Sequence, residues 1–296
     1  MVEHRLFDIN FITFSPTAEY VDYIGGVMVN HSLAHYLAEL GENSYIYANS
    51  TKNGYKSTLI PWGTEVEFDP QNTILITPAG AGEHTFENHI PPCLNSIPNR
   101  VRWLVNDQKK LYPTSDKFYK HIEYFPVLGD QRIDGKFFVL DVDYDIFYDR
   151  QLKRSGGCYF TKGQSITTKY HDNNDLNLDN IYSIPSIQRN KYLSDIFNTK
   201  EYFICYSHRS FIAGLAALCG CNVIVIPYDG ASKEYWMKGM PVMKYGVAYG
   251  VEDIQWAIDT KHLVTDHVKD FQKKGIDSVQ TFINDCYNWI QIKYNI

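Results

Sequence analysis

Residues 202–227 read YFICYSHRSFIAGLAALCGCNVIVIP and carry the clearest fold signal in the chain. An apolar strand pattern at 202–206 is followed by a polar turn, a nearly all-apolar helix pattern at 210–218 and a fully apolar strand pattern at 222–227. Fully apolar strands are typical of parallel sheets that are covered on both faces. Because Gly220 suits the end of the helix, this stretch predicts a strand–helix–strand unit.

The first half of the chain shows the same alternation. Strand patterns cover residues 6–14, 44–48, 72–78 and 100–105, and apolar residues at helical spacing cover 27–40. A strand, a glycine turn, a helix and a second strand form the pattern of a βαβ unit. The sequence therefore predicts an α/β protein with parallel sheets.

A charged and polar segment at residues 141–154 separates the two halves. We place a domain boundary near Tyr148, which gives an N-terminal domain at 1–148 and a C-terminal domain at 149–296. The length of 296 residues agrees with two domains of about 150 residues each.

Composition and charge exclude several classes of protein. The chain has 28 Lys and Arg against 34 Asp and Glu, a net charge of -6, which argues against a nucleic-acid binder with a basic surface. An aromatic content of 15% excludes a wholly disordered chain. No apolar run approaches the roughly 20 residues of a membrane-spanning helix, so we expect no transmembrane segment.

The cysteines point to a reducing compartment. They form no CxxC pair and no zinc-finger spacing, so we expect free thiols. The N-terminus shows no signal-peptide pattern, and we therefore expect a cytoplasmic protein. The six cysteines are Cys93, Cys158, Cys205, Cys219, Cys221 and Cys286.

The first candidate ligand loop contains Gly25 and Gly26, directly before the helix pattern. Paired glycines let a diphosphate or a sugar come close to the backbone, although a turn that needs positive φ explains them equally well. His31 and His35 lie four residues apart on the helix and share a face. They match a zinc pair, but ordinary surface or core histidines fit the same spacing.

The second candidate loop lies between the apolar strand and the apolar helix of 202–227. It contains Tyr206, Ser207, Arg209 and Ser210. Arg209 can form two parallel hydrogen bonds with a phosphate, and Ser207 or Ser210 can cap the helix. The alternative is a helix cap beside a surface arginine.

A third element, at residues 154–163, places basic residues on both sides of a short strand pattern at 157–161. Lys162 follows the strand, where it can neutralise a diphosphate, and Arg154 precedes it. A solvated lysine at a strand end is the alternative explanation.

In this order, these residues resemble the GT-B class of nucleotide-sugar-dependent glycosyltransferases, in particular the small transferases of bacterial and viral surface-polysaccharide gene sets. Residues 25–41 (GGVMVNHSLAHYLAELG) resemble the opening glycine loop and first helix of that class. Residues 202–227 resemble its donor-site helix and the strand that follows, and residues 246–254 resemble the segment before its closing helices.

The resemblance implies two Rossmann-like, doubly wound domains that face a cleft, with the acceptor on the N-terminal side and the donor on the C-terminal side. It implies transfer of a sugar from a nucleoside-diphosphate sugar to a glycan, a glycolipid or another hydroxyl acceptor. It also implies no cofactor and no metal, since the protein itself stabilises the leaving group. The donor and phosphate site would comprise Gly25, Gly26, Arg154, Lys162, Tyr206, Ser207, Arg209 and Ser210.

The candidates for the catalytic base are Asp22, His31 and Glu83, of which Asp22 and His31 lead. The stretch 207–220 contains no acidic residue, so the acidic pair of retaining members of the class has no counterpart there. The sequence leaves the stereochemical outcome open.

Three alternatives stay open. Asp141, Asp143 and Asp145 match the bare DxD pattern of a sugar-nucleotide metal site, which would favour the GT-A class. The chain can also be a nucleotide-sugar epimerase or hydrolase on the same fold, or a non-catalytic module that binds nucleotide or carbohydrate. We also allow for a homodimer.

Overall fold

The chain forms two compact units. The first comprises Met1–Asp141 and Gln272–Ile296, and the second comprises Val142–Phe271. The predicted boundary near Tyr148 therefore lies inside the second unit, and the C-terminal segment belongs to the first. The computed structural model describes residues 7–21, 25–79, 90–105, 108, 110–121, 127–161, 178–181, 189–227 and 230–296.

The described part of the first unit contains a parallel sheet of seven strands in the order β3-β2-β1-β4-β5-β6-β7. This is the Rossmann order, in which the chain reverses its direction across the sheet between β1 and β4. The strands are β1 (Asn10–Phe14), β2 (Asn43–Tyr47), β3 (Thr58–Ile60), β4 (Thr73–Ala79), β5 (Arg100–Leu104), β6 (Lys117–Lys120) and β7 (Gly135–Lys136).

The second unit contains a parallel sheet of five described strands in the order β12-β11-β10-β8-β9. Numbered within the unit, this is the order 2-1-3-4-5 of flavodoxin-like sheets, which reverses between β8 and β10. The strands are β8 (Gly157–Phe160), β9 (Leu178–Asn180), β10 (Tyr202–Cys205), β11 (Asn222–Val225) and β12 (Val247–Tyr249).

Seven α-helices lie in the described residues, and three short 3₁₀ turns occur at Pro241–Met243, Val251–Asp253 and Lys261–Leu263. The helices are α1 (Gly25–Glu39), α2 (Pro92–Asn95), α3 (Arg189–Thr199), α4 (Ile212–Leu218), α5 (Lys233–Gly239), α6 (Ile254–Thr260) and α7 (Val264–Tyr294). Both units are therefore α/β with Rossmann-like parallel sheets, which confirms the predicted fold at this level.

The two faces of the first sheet have separate cores because side chains alternate along a strand. Phe11 of β1 shares one core with Leu37 of α1 and Phe282 of α7. Ile12, the next residue, shares the core of the opposite face with Leu94 of α2. The sheet is thus covered on both sides, as its apolar strands predict.

The C-terminal helix corrects the predicted domain division. Six of its residues are buried in the core of the first sheet: Val279, Phe282, Ile283, Cys286, Tyr287 and Ile290. The ring of Phe282 stacks on Phe137 with 4.2 Å between ring centroids and contacts Phe11 at 6.3 Å. The apolar stripe of this part of the helix is buried against the strands of the first unit, and the residues from Gln272 onward therefore belong there.

None of the helices in the described ranges combines the length and the apolar composition needed to cross a bilayer. All six cysteines are free thiols, and five of them are buried.

Candidate functional site

Each sheet has one position where the strand order reverses, and open α/β sheets bind ligands there, beyond the carboxyl ends of the strands. In the first unit this position lies between β1 and β4, and in the second between β8 and β10. The turn that leads into α1 follows β1, and the loop 206–210 follows β10. Both candidate ligand loops predicted from the sequence therefore follow strands at a reversal.

His31 lies at the carboxyl edge of the first sheet. Its Nε2 atom is 3.0 Å from the Ser15 hydroxyl oxygen, and its Nδ1 atom is 2.9 Å from that of Thr51. Ser15 directly follows β1, and Thr51 lies in the loop after β2. The edge of the Tyr20 ring contacts the imidazole, with 5.0 Å between ring centroids. His31 thus connects α1 to both strand ends.

Burial fixes the charge state of His31. Its side chain is 0% exposed, and this burial lowers the pKa of His31 to about 4, so the ring is neutral near pH 7. A neutral imidazole has one N–H donor and one acceptor nitrogen. Each nitrogen faces a hydroxyl, so either tautomer can donate to one of Ser15 and Thr51 and accept from the other.

A second polar cluster of the first unit, the Asp141 cluster, comprises Ser32, Lys52, Tyr55 and Asp141. The Tyr55 hydroxyl and the Lys52 ammonium both donate to Oδ2 of Asp141, at 2.5 and 2.7 Å. The Ser32 hydroxyl lies 2.8 Å from the Tyr55 oxygen. Burial, followed by the charge of Asp141, raises the pKa of Tyr55, which keeps its hydroxyl protonated as a donor.

The DxD alternative finds no support in the placement of the three aspartates. The Asp141 carboxylate is bonded to Lys52 and Tyr55. The Asp143 carboxylate accepts a hydrogen bond from the backbone N–H of Asp145 at 3.1 Å. In the ranges that the structure describes, no group of three His, Cys, Asp or Glu side chains is arranged to hold a metal ion.

The proposed zinc pair of His31 and His35 is also not formed. Both ring nitrogens of His31 face hydroxyls, while Nδ1 of His35 accepts the backbone N–H of Lys56 at 3.2 Å. The His35 ring stacks on Tyr55, with 4.5 Å between centroids and 3° between the planes. The two histidines thus have different surroundings despite their shared helix.

Gly25 and Gly26 are the first two residues of α1, so the helix begins two residues before the predicted start at 27. Neither glycine has a positive φ, and a turn that needs positive φ is therefore the wrong explanation for them. A Cβ atom added at either position meets no described heavy atom within 4 Å. Among the described residues, none therefore fills the space beside these two positions.

The second unit has a separate candidate site, the loop from Tyr206 to Ser210. The Ser207 carbonyl accepts the backbone N–H of Ser210 at 3.0 Å, which closes a tight turn. Trp236 of α5 donates its indole N–H to the His208 carbonyl at 2.7 Å, which links the turn to this helix. Tyr206 and Ser207 are buried, whereas Arg209 and Ser210 are half-buried.

The predicted helix cap is wrong. Helix α4 begins at Ile212, its N-cap residue is Phe211, and no side chain of the described residues caps it. Ser207 and Ser210 instead shape the turn through their backbone groups. Their hydroxyls are therefore not used by the helix end.

Arg154 lies at the other edge of the second sheet, because it precedes β8 rather than following it. One guanidinium nitrogen donates to the carbonyls of Phe197 and Lys200, at 2.5 and 3.2 Å. The other donates to the Asp149 carboxylate at 2.7 Å and to the Cys219 carbonyl. Arg154 thus binds the carboxyl ends of α3 and α4 and is a structural residue, not part of the loop 206–210.

Three predicted site residues, Asp22, Glu83 and Lys162, lie outside the described residues. Sequence analysis missed the hydroxyl partners of His31, and it named Asp141 only in the DxD pattern, without Ser32, Lys52 and Tyr55. One signal was present for the former: Ser15 and Thr51 are polar residues that shortly follow apolar strand patterns. Such positions lie at the carboxyl edge of a parallel sheet.

No protein-family model and no curated protein sequence matches this chain significantly. The fold and the two loops define it as an α/β protein with two Rossmann-like parallel sheets, each with polar side chains beyond the strands where its order reverses.

Proposed function

We propose that this chain is a glycosyltransferase that moves a sugar from a nucleoside-diphosphate sugar to a glycan, glycolipid or other hydroxyl acceptor. The proposal assigns the donor to the second unit and the acceptor to the first, in a GT-B-like arrangement. The observation that carries it is the coincidence, in both units, of a strand-order reversal with a polar loop at the carboxyl edge.

The donor would lie at the loop 206–210. As the bond between the sugar carbon and the diphosphate oxygen breaks, negative charge grows on the diphosphate. Arg209 supplies a planar, permanently charged group that can pair with two phosphate oxygens. Lys162 follows β8, the strand on the other side of the reversal, and supplies a second positive charge. No metal ion is needed in this scheme, and no cofactor beyond the donor sugar nucleotide.

The acceptor would lie at the carboxyl edge of the first sheet. Its hydroxyl must lose a proton as it attacks the sugar, and a general base works best when its pKa is close to the working pH. A pKa of about 4 makes His31 a weak base near pH 7. An ordinary carboxylate is no stronger a base, but His31 is also fully buried, with both ring nitrogens bonded to hydroxyls. We therefore assign the base to Asp22 or Glu83 and give His31, with Ser15, a proton-relay or positioning role.

The test is turnover of a panel of UDP- and GDP-sugars by the full chain, with and without a panel of sugar and glycolipid acceptors. A transferase releases nucleoside diphosphate and forms a glycosylated product only when an acceptor is present. Free sugar formed without an acceptor identifies a hydrolase, and an isomerised sugar nucleotide identifies an epimerase. Sugar-nucleotide binding without turnover on any acceptor would replace the proposal with a binding module.

A further inference from the structure

Three asparagines in the described ranges have no exposed surface: Asn30, Asn99 and Asn198. At Asn99 and Asn198, both ends of the side-chain amide are bonded. Oδ1 of Asn99 accepts from the Lys293 ammonium at 2.7 Å, and Oδ1 of Asn198 accepts from the backbone N–H of Arg150 at 2.7 Å. Both Nδ2 groups donate to backbone carbonyls. These two asparagines therefore have the contacts of structural residues.

Asn30 of α1 differs from both. Its Nδ2 donates to the Gly26 carbonyl at 2.6 Å, but its buried Oδ1 has no hydrogen-bond partner among the described residues. Because a carbonyl only accepts, the amide atom that faces Gly26 is the nitrogen, and the unpartnered atom is the oxygen. An acceptor that is buried without a partner destabilises a fold, so this oxygen requires an explanation.

Asn30 lies on the side of α1 that faces the strand-order reversal of the first sheet. It precedes Leu33 and Leu37 by three and seven residues, so the three side chains share one stripe of the helix. Both leucines belong to the core that contains Ile76 of β4. The neighbouring His31 bonds instead to residues that follow β1 and β2. The Asn30 side chain therefore lies toward β4, where the order reverses.

The bond between Asn30 and Gly26 brings the unpartnered oxygen to the first turn of α1. The N–H groups of a first helical turn have no acceptor within the helix and carry a partial positive charge. A Cβ atom added at Gly26 meets no described heavy atom within 4 Å. A ligand at this turn thus meets backbone donors and one side-chain acceptor. A hydroxyl group can accept from the former and donate to the latter, whereas the diphosphate of a sugar nucleotide has only acceptors.

We propose that Asn30 binds a hydroxyl group of a sugar at the first turn of α1 and determines specificity for that hydroxyl. The sugar hydroxyl donates to Oδ1 of Asn30 and accepts from a first-turn N–H. The inference deepens the proposed function and rests on it for the assignment of the acceptor to the first unit. It specifies a sugar as the acceptor, and it assigns a sugar hydroxyl rather than a diphosphate to the backbone of Gly25 and Gly26.

The test is an NMR titration of the full chain with the methyl glycosides of glucose, galactose, mannose and N-acetylglucosamine, and with inorganic pyrophosphate as the anionic probe. The variant is Asn30→Leu, which is close in volume. The control is Ser57→Ala, because Ser57 is a buried residue before β3, at the opposite edge of the sheet, whose hydroxyl also has no partner among the described residues. We expect Asn30→Leu to raise the Kd of the preferred glycoside about tenfold, the scale of one hydrogen bond, and the control to leave it unchanged.

Melting temperatures separate a binding role of Asn30 from a structural one. Asn30→Leu removes an unpaired acceptor and should keep or raise the melting temperature, whereas Asn99→Leu removes a fully bonded amide and should lower it. If Asn30→Leu does not fold, Asn30→Ala replaces it, since alanine is smaller and has the highest helix propensity.

Three outcomes overturn the inference: no glycoside binds, the Asn30 variant binds glycosides as the parent chain does, or the variant weakens binding of pyrophosphate instead. The glycosides are titrated without a sugar nucleotide, so the two proposals can fail separately. Glycoside binding that depends on Asn30, without turnover of any sugar nucleotide, contradicts only the glycosyltransferase. Turnover with an acceptor KM that Asn30→Leu leaves unchanged contradicts only the role of Asn30.

Discussion

The Nε2 atom of His31 lies 3.0 Å from the Oγ atom of Ser15, and this contact joins the first helix to the end of the first strand. With Thr51 bonded to the other ring nitrogen, the imidazole has two hydroxyl partners and no contact with solvent. The two hydroxyl oxygens could accept from a protonated ring, but a buried ring loses the hydration that stabilises its charge. Burial therefore favours a neutral His31.

The first prediction is a pH dependence of stability that originates at His31. The folded state lowers the pKa of His31 from 6.5 to about 4, so between these values the unfolded chain binds more protons than the folded chain. The His31 contribution is fully present above about pH 6.5 and is lost as the pH falls toward 4. Acidification from about pH 7 to about pH 5 should cost about 2 kcal/mol through this residue alone.

The measurement is urea unfolding of the parent chain and of His31→Gln at both pH values. His121, whose pKa is also lowered to about 4 by burial, contributes the same dependence in both proteins and cancels in the comparison. The loss on acidification should be smaller in the variant by about 2 kcal/mol. Equal losses in the two proteins would show that His31 is not held neutral.

The second prediction concerns the diphosphate. Arg209→Gln should weaken binding of UDP or GDP by more than about 1 kcal/mol, roughly a fivefold rise in Kd, because a charge-assisted hydrogen bond is lost. Lys162→Ala should have a similar effect. Lys238→Gln is the matched control, since Lys238 is an exposed cation of the same unit, on α5. The Kd of UDP or GDP is measured by calorimetric titration of the parent chain and the three variants. Unchanged affinity in Arg209→Gln and Lys162→Ala would show that neither residue contacts the diphosphate.

The third prediction separates Arg154 from the donor site. Arg154→Met removes four described hydrogen bonds and leaves three carbonyls and the Asp149 carboxylate without this donor. We expect a loss of about 2–4 kcal/mol in the free energy of unfolding, with an unchanged nucleotide Kd in the folded protein. Lys153→Met, at the exposed neighbouring position, should change neither quantity. A weaker nucleotide affinity at unchanged stability would show that Arg154 contributes to nucleotide binding, contrary to this prediction.

The sequence contained enough information to place Arg154 correctly. It predicts the strand at 157–161, with Arg154 before it and Lys162 after it. The two ends of a strand in a parallel sheet lie at opposite edges, so these residues cannot both join a ligand at the carboxyl edge. Because Arg154 and Lys162 are close in sequence, they suggest a single basic site. The strand between them places them at opposite edges of the sheet.

Other parts of the structure had no local signal. The strands Thr58–Ile60 and Gly135–Lys136 are too short to show alternation, and they form because a neighbouring strand offers backbone partners. Apolar residues at 279–290 recur at helical spacing, but the sequence does not indicate which sheet they cover, since that depends on long-range packing. The partners of His31, Ser15 and Thr51, lie in loops after strands. The hydrophobic periodicity of a sequence predicts helices and strands but not the conformation of loops.

The fourth prediction concerns metal. If protein groups alone stabilise the leaving group, transfer or donor hydrolysis should persist in excess EDTA. Activity that disappears in EDTA and returns with Mn²⁺ or Mg²⁺ would contradict the GT-B-like scheme. It would also direct attention back to the carboxylates of Asp141, Asp143 and Asp145. Asp141→Asn then provides the discriminating variant, because the metal-independent scheme gives that carboxylate only its bonds to Lys52 and Tyr55.

The fifth prediction concerns the first turn of α1. Gly26 has no positive φ, and a Cβ at this position meets no described atom within 4 Å, so neither its backbone conformation nor its described neighbours require glycine. Replacing glycine by alanine inside a helix commonly stabilises a protein by about 0.5–1 kcal/mol. Gly26→Ala should therefore keep or raise the melting temperature, and Gly26→Val should leave the chain folded. If a sugar or diphosphate passes close to this backbone, activity falls as the side chain grows, most severely in the valine variant.

Melting temperature and turnover are measured on the same preparations, together with Gly54→Ala. The φ of Gly54 is +85°, so that variant should lose stability while its folded fraction keeps its activity. A valine variant with full turnover would show that no ligand approaches the first turn of this helix.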